Sequence, residues 1–289
     1  VRCIDPVTGF VSTLLQGQRK ISPHRQTSQT ADKTKTTTMF ARKPFDHISV
    51  DAPRGLCAAG PEHPGVFFVC DSAKIIELNI STQSCRILAG GGDMTLNDGG
   101  GERGFRNGSF REALFDRPSG LAYDGSNGRL YVADACNHVI RCLYDNVVST
   151  VAGCGREGYV DGHAIGRARF NFPQKIAVDP ARQLLFVSDL NDVLRRVELN
   201  VASRKNPAAV FTHAGSGRRG HQDGVGSTSM WSYPAGLVFS QHEDVIYCCD
   251  SDNHCIRSVM TYDGWVEPLN SAVYVQRALS AHGITTTVG

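Results

Sequence analysis

The chain has 289 residues, which is enough for one large domain or two small ones. Its 30 Lys and Arg residues against 28 Asp and Glu residues give a formal net charge of only +2, so outside one basic stretch the chain is close to neutral. The sequence contains no run of about eighteen apolar residues, which excludes a membrane-spanning helix within it.

The first fifteen residues follow a pattern that returns later in the chain. VRCIDPVTGFVSTLL aligns with VIRCLYDNVVSTVAG, with Arg2 on Arg141, Cys3 on Cys142 and Ser12-Thr13 on Ser149-Thr150. We interpret this opening as the third and fourth strands of a four-stranded unit whose first two strands are missing from the sequence.

Residues 16–52 show no apolar period and are rich in Thr, Gln, Lys and Arg. We therefore predict a long, exposed and partly disordered insertion. Between Arg19 and Lys43 the only acidic residue is Asp32, and the basic side chains are Arg19, Lys20, Arg25, Lys33, Lys35, Arg42 and Lys43. Such a loop suits contact with nucleic acid or with an acidic protein surface, but charge runs are more often merely solvated, and we favour a solvated linker.

The stretch from Pro118 to Gly153 organises the rest of the chain. Its β-branched and aromatic runs, bounded by Asp, Asn and Gly, predict four short strands at Leu121–Tyr123, Arg129–Ala133, Val139–Leu143 and Val147–Ala152. The spacing leaves no room for crossover helices, so the sheet is expected to be antiparallel. Because one such meander buries little, it must pack against something, and copies of itself are present.

The copies share the same residue types at several equivalent positions, and these recur with one period. The motif Pro-x-Gly-Leu or its variant begins at Pro53, Pro118, Pro173 and Pro234, and the second strand ends at Asp71, Asp134, Asp189 and Asp250. The run Asn137-His138 to Arg141 returns as Asn253-His254 to Arg257, and in degraded form as Asn191-Asp192 to Arg195. A period of about 55–65 residues with one antiparallel sheet per unit is typical of a β-propeller.

At these residues the chain resembles the NHL-repeat propellers. The family pattern of a strand, D..NH.IR, a strand ending T.AG and a DG…A.F..P.GL lead-in is nearly complete over residues 118–231. The resemblance implies an all-β propeller of four-stranded antiparallel blades in one domain over residues 1–289, with the basic insertion at 16–52 and a Gly-rich insertion at 90–108. Four full blades and a half blade are counted.

Six blades are expected for the complete protein, with a five-bladed ring as the alternative. Residues 283–289 read as a fourth strand. A propeller closes by pairing strands from its two ends. Closure is therefore expected to need residues outside 1–289 or another chain, and residues 1–289 alone are expected to be prone to aggregation.

Three glycine clusters fit G-x-G-x-x-G, at residues 99–104, 153–158 and 215–220. That phosphate-binding pattern requires a following helix, whereas here strands of the next blade follow. We interpret these clusters as connector turns in which glycine supplies a positive φ.

The ten cysteines stand where other repeats carry small or apolar residues, so most are expected to be buried, reduced thiols. This favours a reducing compartment, the cytoplasm first. Disulfides between Cys136 and Cys142 or between Cys248 and Cys255 stay open. No cysteine spacing typical of zinc occurs.

Two kinds of polar residue recur at the strand turns. His138 and His254 are metal-ligand or acid–base candidates, but their position favours turn hydrogen bonds. Asp134 with Arg141, Asp189 with Arg195 and Asp250 with Arg257 are predicted to tie the turns of their blades together.

The sequence contains no nucleophile elbow and no H-E-x-x-H motif, so it gives no positive indication of an enzyme. The leading hypothesis is a non-catalytic scaffold for protein partners. An RNA-binding propeller assisted by the 19–43 loop is second, because that loop offers only Phe40 and Phe45 for base stacking. A metal-dependent lyase or hydrolase is third. No metal, small-molecule cofactor or membrane span is expected.

Overall fold

The computed structural model describes residues 2–4, 11–13, 50–91, 101–199, 208–240, 242–264 and 266–268. The opening pair consists of β1 (Arg2–Ile4) and β2 (Val11–Thr13). These strands pair Arg2 with Thr13 and Cys3 with Ser12. The aligned strands further along pair Arg141 with Thr150 and Cys142 with Ser149 in the same register. The opening pair therefore has the backbone arrangement of a third and a fourth strand.

Four antiparallel sheets follow, and we call them the first to fourth blades. The first consists of β3 (Pro53–Ala58), β4 (Val66–Asp71), β5 (Lys74–Asn79) and β6 (Ser84–Gly90). The second consists of β7 (Gly108–Ser109), β8 (Pro118–Asp124), β9 (Arg129–Asp134), β10 (Val139–Tyr144) and β11 (Val147–Ala152). The third consists of β12 (Gly162–His163), β13 (Ile176–Asp179), β14 (Leu184–Asp189), β15 (Val193–Glu198) and β16 (Ala209–Ala214). The fourth consists of β17 (Pro234–Ser240), β18 (Val245–Asp250), β19 (Cys255–Met260) and β20 (Val266–Pro268).

The helical segments of the described residues are short 3-10 turns at Ala135–Asn137, Gly226–Thr228 and Ser251–Asn253. Two of them occupy the turn between the second and third strands of a blade. None has the length or the hydropathy needed to cross a bilayer.

Each blade is a meander in sequence order, and the blades stack face to face around a common axis. The first strands of successive blades, β3, β8, β13 and β17, lie beside one another and form the inner wall. In the second and third blades the lead-in adds a short fifth strand, β7 or β12, on the outer edge. This is a β-propeller, as the period of the sequence predicts.

The predicted strands of the second blade are confirmed, with longer ends. β8 begins at Pro118 rather than at Leu121, because a bulge between Pro118 and Gly120 lets the motif pair with Asp134. Every residue of β9 from Leu130 to Asp134 is buried. A blade is covered on both faces by its neighbours, so its middle strands are buried along most of their length and carry apolar residues on both faces, apart from the paired Asp134 and Arg141.

The core lies between the blades. Between the first and second blades, Cys70 and Ile75 pack with Leu121, Leu130 and Phe115. Phe115 and its counterparts Phe170 and Trp231 are fully buried, and each belongs to the lead-in of the following blade. Each such aromatic wedge therefore fills the seam between two blades, where its buried area makes a large hydrophobic contribution.

Residues 101–108 form the same isolated β-bridges as residues 155–162 and 217–224, which lead into the third and fourth blades. Arg103, Glu157 and Arg219 each bridge to the aromatic wedge that follows. These residues therefore belong to the repeat itself. Of the predicted Gly-rich insertion at 90–108, residues 92–100 lie outside the described residues, as do the basic insertion up to residue 49 and the strand predicted at 283–289.

His213 lies buried between the third and fourth blades. Its Nε2 lies 2.9 Å from the carbonyl oxygen of Met260, and its ring packs on Phe186. Burial lowers the pKa of His213 from 6.5 to about 4. An unfolded chain therefore takes up a proton below pH 6.5 that the folded chain does not accept until about pH 4, so this group opposes folding as the pH falls through that window.

We expect the free energy of unfolding to fall by about 2 kcal/mol more between pH 7 and pH 5 in the wild type than in His213→Gln. Urea titrations of both proteins at the two pH values measure the difference. Equal pH dependence in the two proteins would contradict the assignment of this loss to His213.

Candidate functional site

The polar residues of the repeat meet at the turn between the second and third strands. In the second blade, Asp134 accepts hydrogen bonds from the backbone N–H of Asp116 at 2.9 Å, from Asn137 Nδ2 at 2.9 Å and from Arg141 Nη1 at 2.8 Å. The side chains of Asp134 and Arg141 are both fully buried. The predicted tie within the blade turn is therefore present, and water does not reach it.

Arg141 also holds the lead-in. Its guanidinium donates to the carbonyl oxygens of Leu114 and Arg106 and to Asn107 Oδ1. It lies between the rings of Phe105 and Phe115, with its Cζ 5.1 and 5.0 Å from their centroids. The Arg141 side chain thus joins the turn that carries Asp134, the residues that lead into the blade and the buried Phe115. A planar guanidinium with five donors can make all of these contacts at once.

We call the buried pair of Asp134 and Arg141, with its hydrogen bonds, an Asp–Arg lock. The same lock recurs in the third and fourth blades. Arg195 lies 2.6 Å from Asp161 and 3.5 Å from Asp189, between the rings of Tyr159 and Phe170. Arg257 lies 2.9 Å from Asp250 and 2.8 Å from Asp223, with its Cζ 4.3 Å from the centroid of Trp231. Asn253 donates to Asp250 as Asn137 does to Asp134.

The first blade departs from this pattern. Ile76 pairs with Val69 where Arg141 pairs with Val132, so this blade has no arginine at the locking position. Asp71 instead accepts the backbone N–H groups of Asp51 and Ala52, and Lys74 Nζ lies 3.8 Å away. The aspartate therefore caps the first strand in every blade, whereas the arginine is an addition in three of them.

Burial raises the pKa of Asp134 and of Asp189 to about 6, against the hydrogen bonds and the arginines that lower it. Both carboxyl groups are consequently ionised at pH 7, and each lock is a charged pair at neutral pH. Their hydrogen-bonding positions are taken up by the scaffold itself. We therefore assign the Asp–Arg residues of the repeat to the fold and not to a reaction.

The imidazole of His138 forms its hydrogen bond with the next blade, whereas the backbone N–H of His138 closes its own turn on the Ala135 carbonyl oxygen. His138 has a left-handed backbone, and its Nδ1 accepts the backbone N–H of Phe172, the residue before Pro173 of the next blade, at 3.3 Å. Asp192 Oδ1 accepts the N–H of Tyr233 before Pro234 at 2.8 Å. The predicted hydrogen-bonding role is confirmed for His138, and its location is corrected.

Metal-ligating groups do not converge in the part of the chain that the structure describes. No cluster of three or more His, Cys, Asp or Glu side chains occurs there. The predicted basic binding residues between Arg19 and Lys43 lie outside the described residues.

The inner wall carries a cation that the sequence analysis did not single out. Gly55, Gly120 and Gly236 hold the third position of the Pro-x-Gly-Leu motif, and Lys175 holds it in the third blade. A Cβ at Gly120 would lie 2.5 Å from the carbonyl oxygen of Gln174, which explains glycine there. The sequence could have revealed this cation only through the replacement of the motif glycine by Lys175.

The Lys175 side chain crosses two neighbouring blades. Its Nζ donates to the carbonyl oxygen of Arg54 in the first blade at 2.8 Å and to that of Ser119 in the second. Its pKa is lowered by burial and by the nearby Arg54, and no carboxylate contributes to the shift. An ammonium group with three donors keeps one of them beyond these two contacts.

Two more cations, Arg54 and Arg117, lie at the same end of the inner wall as Lys175, because each stands where the first strand of its blade begins. We call this end of the wall the channel mouth. The pKa of the half-buried Cys136 thiol is raised by burial and by Asp116, whereas Arg117 and Arg54 lower it. Arg54 and Arg117 are exposed, and neither forms an ion pair within the described residues. We call Arg54, Arg117 and Lys175 the channel-mouth cations. Asp116 adds one carboxylate beside them.

The nine cysteines whose side chains the structure describes are free thiols. Only Cys70, Cys142 and Cys248 are buried, so the expectation that most would be buried is wrong. Cys249 is exposed although its counterparts Ala133 and Ser188 are fully buried, because no further described blade covers the face on which it lies.

Burial raises the pKa of Cys57 and of Cys70 to about 12 and that of Cys142 to about 11. We expect these three thiols to be alkylated at least roughly 100-fold more slowly in the native protein than in denaturant, because the thiolate is the reactive form. Peptide mapping after timed iodoacetamide treatment at pH 8 measures this. Six or more cysteines recovered as disulfides would contradict the prediction of a reducing compartment.

Comparison with known proteins agrees with the geometry. The arrangement of four antiparallel sheets places the chain among the β-propellers. Among solved structures it is similar to a protein of unknown function from Bacteroides thetaiotaomicron, with a TM-score of 0.55 and 16% identity over 74% of this chain and 47% of that one. An auxiliary nutrient binding protein from the same organism aligns with a TM-score of 0.52 and 14% identity over 77% of this chain and 48% of that one. At these identities the likeness shows the fold alone.

Residues 115–143 match the family model of the NHL repeat. The chain is 31% identical over 172 residues to NHL repeat-containing protein 2 of Bos taurus, which covers 55% of this chain and 23% of that protein. It is 30% identical over 166 residues to protein SUPPRESSOR OF QUENCHING 1, chloroplastic, of Arabidopsis thaliana, which covers 55% of this chain and 15% of that protein. The chain is a β-propeller that carries an NHL repeat at residues 115–143, and it spans less than a quarter of the length of these two relatives.

Proposed function

We propose that this propeller is a non-catalytic interaction scaffold whose channel mouth binds an acidic segment of a protein partner. The observation that carries the proposal is the set of channel-mouth cations. Lys175 is a partly buried ammonium group with no carboxylate partner among the described residues, and it stands where the other blades have glycine. A cation held in this way favours the approach of a carboxylate, because burial strengthens charge-assisted hydrogen bonds.

The frame around the mouth supports this role. Buried Asp–Arg locks fix the turns of three blades, so the mouth is preorganised and little ordering is needed on binding. The protein is proposed to work in a reducing compartment, as its free thiols favour.

Fluorescence anisotropy with a blocked, labelled octaglutamate peptide tests the proposal. We expect binding by the wild type that Lys175→Met weakens by roughly tenfold, the effect of losing one charged hydrogen bond. Arg111→Gln, at an exposed cation of the second-blade lead-in, is the control and should bind as the wild type does. No binding by the wild type, or equal binding by both variants, would contradict the proposal.

The RNA-binding alternative predicts a different outcome in the same assay. Labelled octauridylate would then bind more tightly than the peptide. Neutralising Arg19, Lys20, Lys33 and Lys35 would weaken that binding and flatten its salt dependence. That result would replace the protein-scaffold proposal.

A further inference from the structure

A crevice of about 360 Å³ opens between the first and second blades, beside the hairpin that joins β10 to β11, and we call it the aromatic crevice. Because neighbouring strands are antiparallel, this hairpin lies at the end of the blade opposite Pro118 and the channel mouth. The volume falls within the range of about 300–1,000 Å³ that is typical of ligand sites.

Three aromatic rings form the wall of the aromatic crevice. Phe68 comes from β4, Tyr123 from β8 and Phe110 from the residues that lead into the second blade. The rings of Phe68 and Tyr123 pack with their centroids 5.5 Å apart. Phe68 is buried, whereas Tyr123 and Phe110 are half-buried, so part of each of these two side chains stays accessible.

Phe110 adds a ring at this seam that the next two seams lack. Its carbonyl oxygen accepts the backbone N–H of Gly90 at the end of the first blade, and the carbonyl oxygens of Ala164 and Gly226 accept at the same point of the next two seams. The three residues therefore hold one structural position, at which the other seams carry a methyl group or a hydrogen atom. A ring is thus not required there to join two blades, which leaves Phe110 available for another role.

The rim of the aromatic crevice is acidic. The described residues that line it include Glu77 and Asp145 and no lysine or arginine. Glu77 is engaged, because the exposed Arg86 donates to its two carboxylate oxygens at 3.0 and 2.8 Å. Asp145 is exposed, and its side chain forms no hydrogen bond or ion pair within the described residues. The aromatic wall therefore has an uncompensated carboxylate beside it.

The chemistry of this lining favours an alkylated ammonium group. Aromatic rings attract a cation through their negative faces, and methyl groups on the nitrogen present an apolar surface to the rings. A plain ammonium group would bring three donors to a wall that is made of rings. An anion would meet the charge of Asp145. Tyr144 already holds a cation in this way on the neighbouring seam, because the Arg129 Cζ lies 4.7 Å from its ring centroid.

We propose that the aromatic crevice binds a quaternary ammonium group, carried by a small molecule or by a trimethylated lysine side chain. Phe68, Phe110 and Tyr123 contact its methyl groups, and Asp145 supplies the counter-charge at the rim. The site lies at the opposite end of the blades from the channel-mouth cations, so this inference stands independently of the proposed function.

Ligand-observed NMR titration of the complete natural polypeptide with choline tests the proposal. Phe110→Ala is expected to weaken binding by roughly fivefold to tenfold, because one ring is lost. Asp145→Asn is expected to weaken it by roughly twofold to fourfold through the lost charge. Tyr262→Ala, at an exposed tyrosine of the fourth blade, is the control and should bind as the wild type does. No choline binding by the wild type, or equal binding by all three variants, would overturn the proposal.

Two further ligands separate a cation site from an apolar crevice and identify the source of the cation. The uncharged analogue of choline, in which carbon replaces the nitrogen, should bind at least roughly tenfold more weakly. Equal binding of this analogue would overturn the proposal in favour of an apolar ligand. A preference for a trimethylated over an unmodified lysine peptide that Phe110→Ala abolishes assigns the group to a protein partner. Choline binding without that preference assigns it to a small molecule.

Discussion

Asp134→Ala is expected to lower the free energy of unfolding by about 3–5 kcal/mol. The substitution removes the counter-charge of Arg141, which is fully buried and cannot turn to solvent. It also removes the acceptor for the Asp116 N–H and for Asn137. The loss therefore combines an unpaired buried cation with orphaned donors, whereas an ordinary surface ion pair would leave both charges hydrated.

Urea titration at pH 7 measures this effect, with Asp244→Ala as the control. Asp244 pairs with Arg182 at 2.9 Å, but both side chains are 47% exposed, so about 0–1 kcal/mol is expected. Asp134→Ala combined with Arg141→Met should be more stable than Asp134→Ala alone, since no buried charge is then unpaired. A single variant that melts within a degree of the wild type would mean that the lock does not stabilise the blade.

Trp231→Ala is expected to lower the free energy of unfolding by about 3–5 kcal/mol. The indole is fully buried in the seam between the third and fourth blades, stacks on Arg257 and donates from Nε1 to Ser229 Oγ at 3.2 Å. Its removal opens a cavity in a seam that no neighbouring side chain can fill without moving a blade. Hydrogen exchange should then accelerate first in β17, β18 and β19.

The control for Trp231→Ala is Tyr262→Ala, because Tyr262 is 66% exposed in the turn after β19. It should change the free energy of unfolding by at most about 0.5 kcal/mol. Similar losses for the two variants, or exchange that accelerates evenly over all blades, would show that the wedge does not hold this seam in particular.

The blade itself was predictable from the sequence because its determinants are local and repeated. Asp134 and Arg141 are seven residues apart on adjacent strands, so one recurring motif was enough to predict their contact. Asn107, Asp161 and Asp223 hold equivalent positions before each repeat. Their role as the second partner of each arginine was not predicted. Each of those contacts joins an arginine to a residue 34 positions earlier in the chain, and no short sequence pattern predicts a contact over that separation.

The candidate site was less predictable, for the same reason. Lys175 was visible only as a departure from a glycine motif, and its meaning depends on carbonyl oxygens 56 and 121 residues earlier in the chain. The burial of the cysteines failed as a prediction at Cys249, because alignment carries over the position of a residue but not what covers it.

By itself the sequence determined the repeat, the order of the strands and the Asp–Arg locks. Each follows from short-range periodicity and from the requirement that a buried charge be paired. Tertiary structure alone decided which cations gather at the channel mouth, that His138 bonds to the next blade and that the face of the fourth blade on which Cys249 lies is exposed. These are relations between blades, set by how whole sheets stack around the axis. Sequence spacing within one repeat does not contain them.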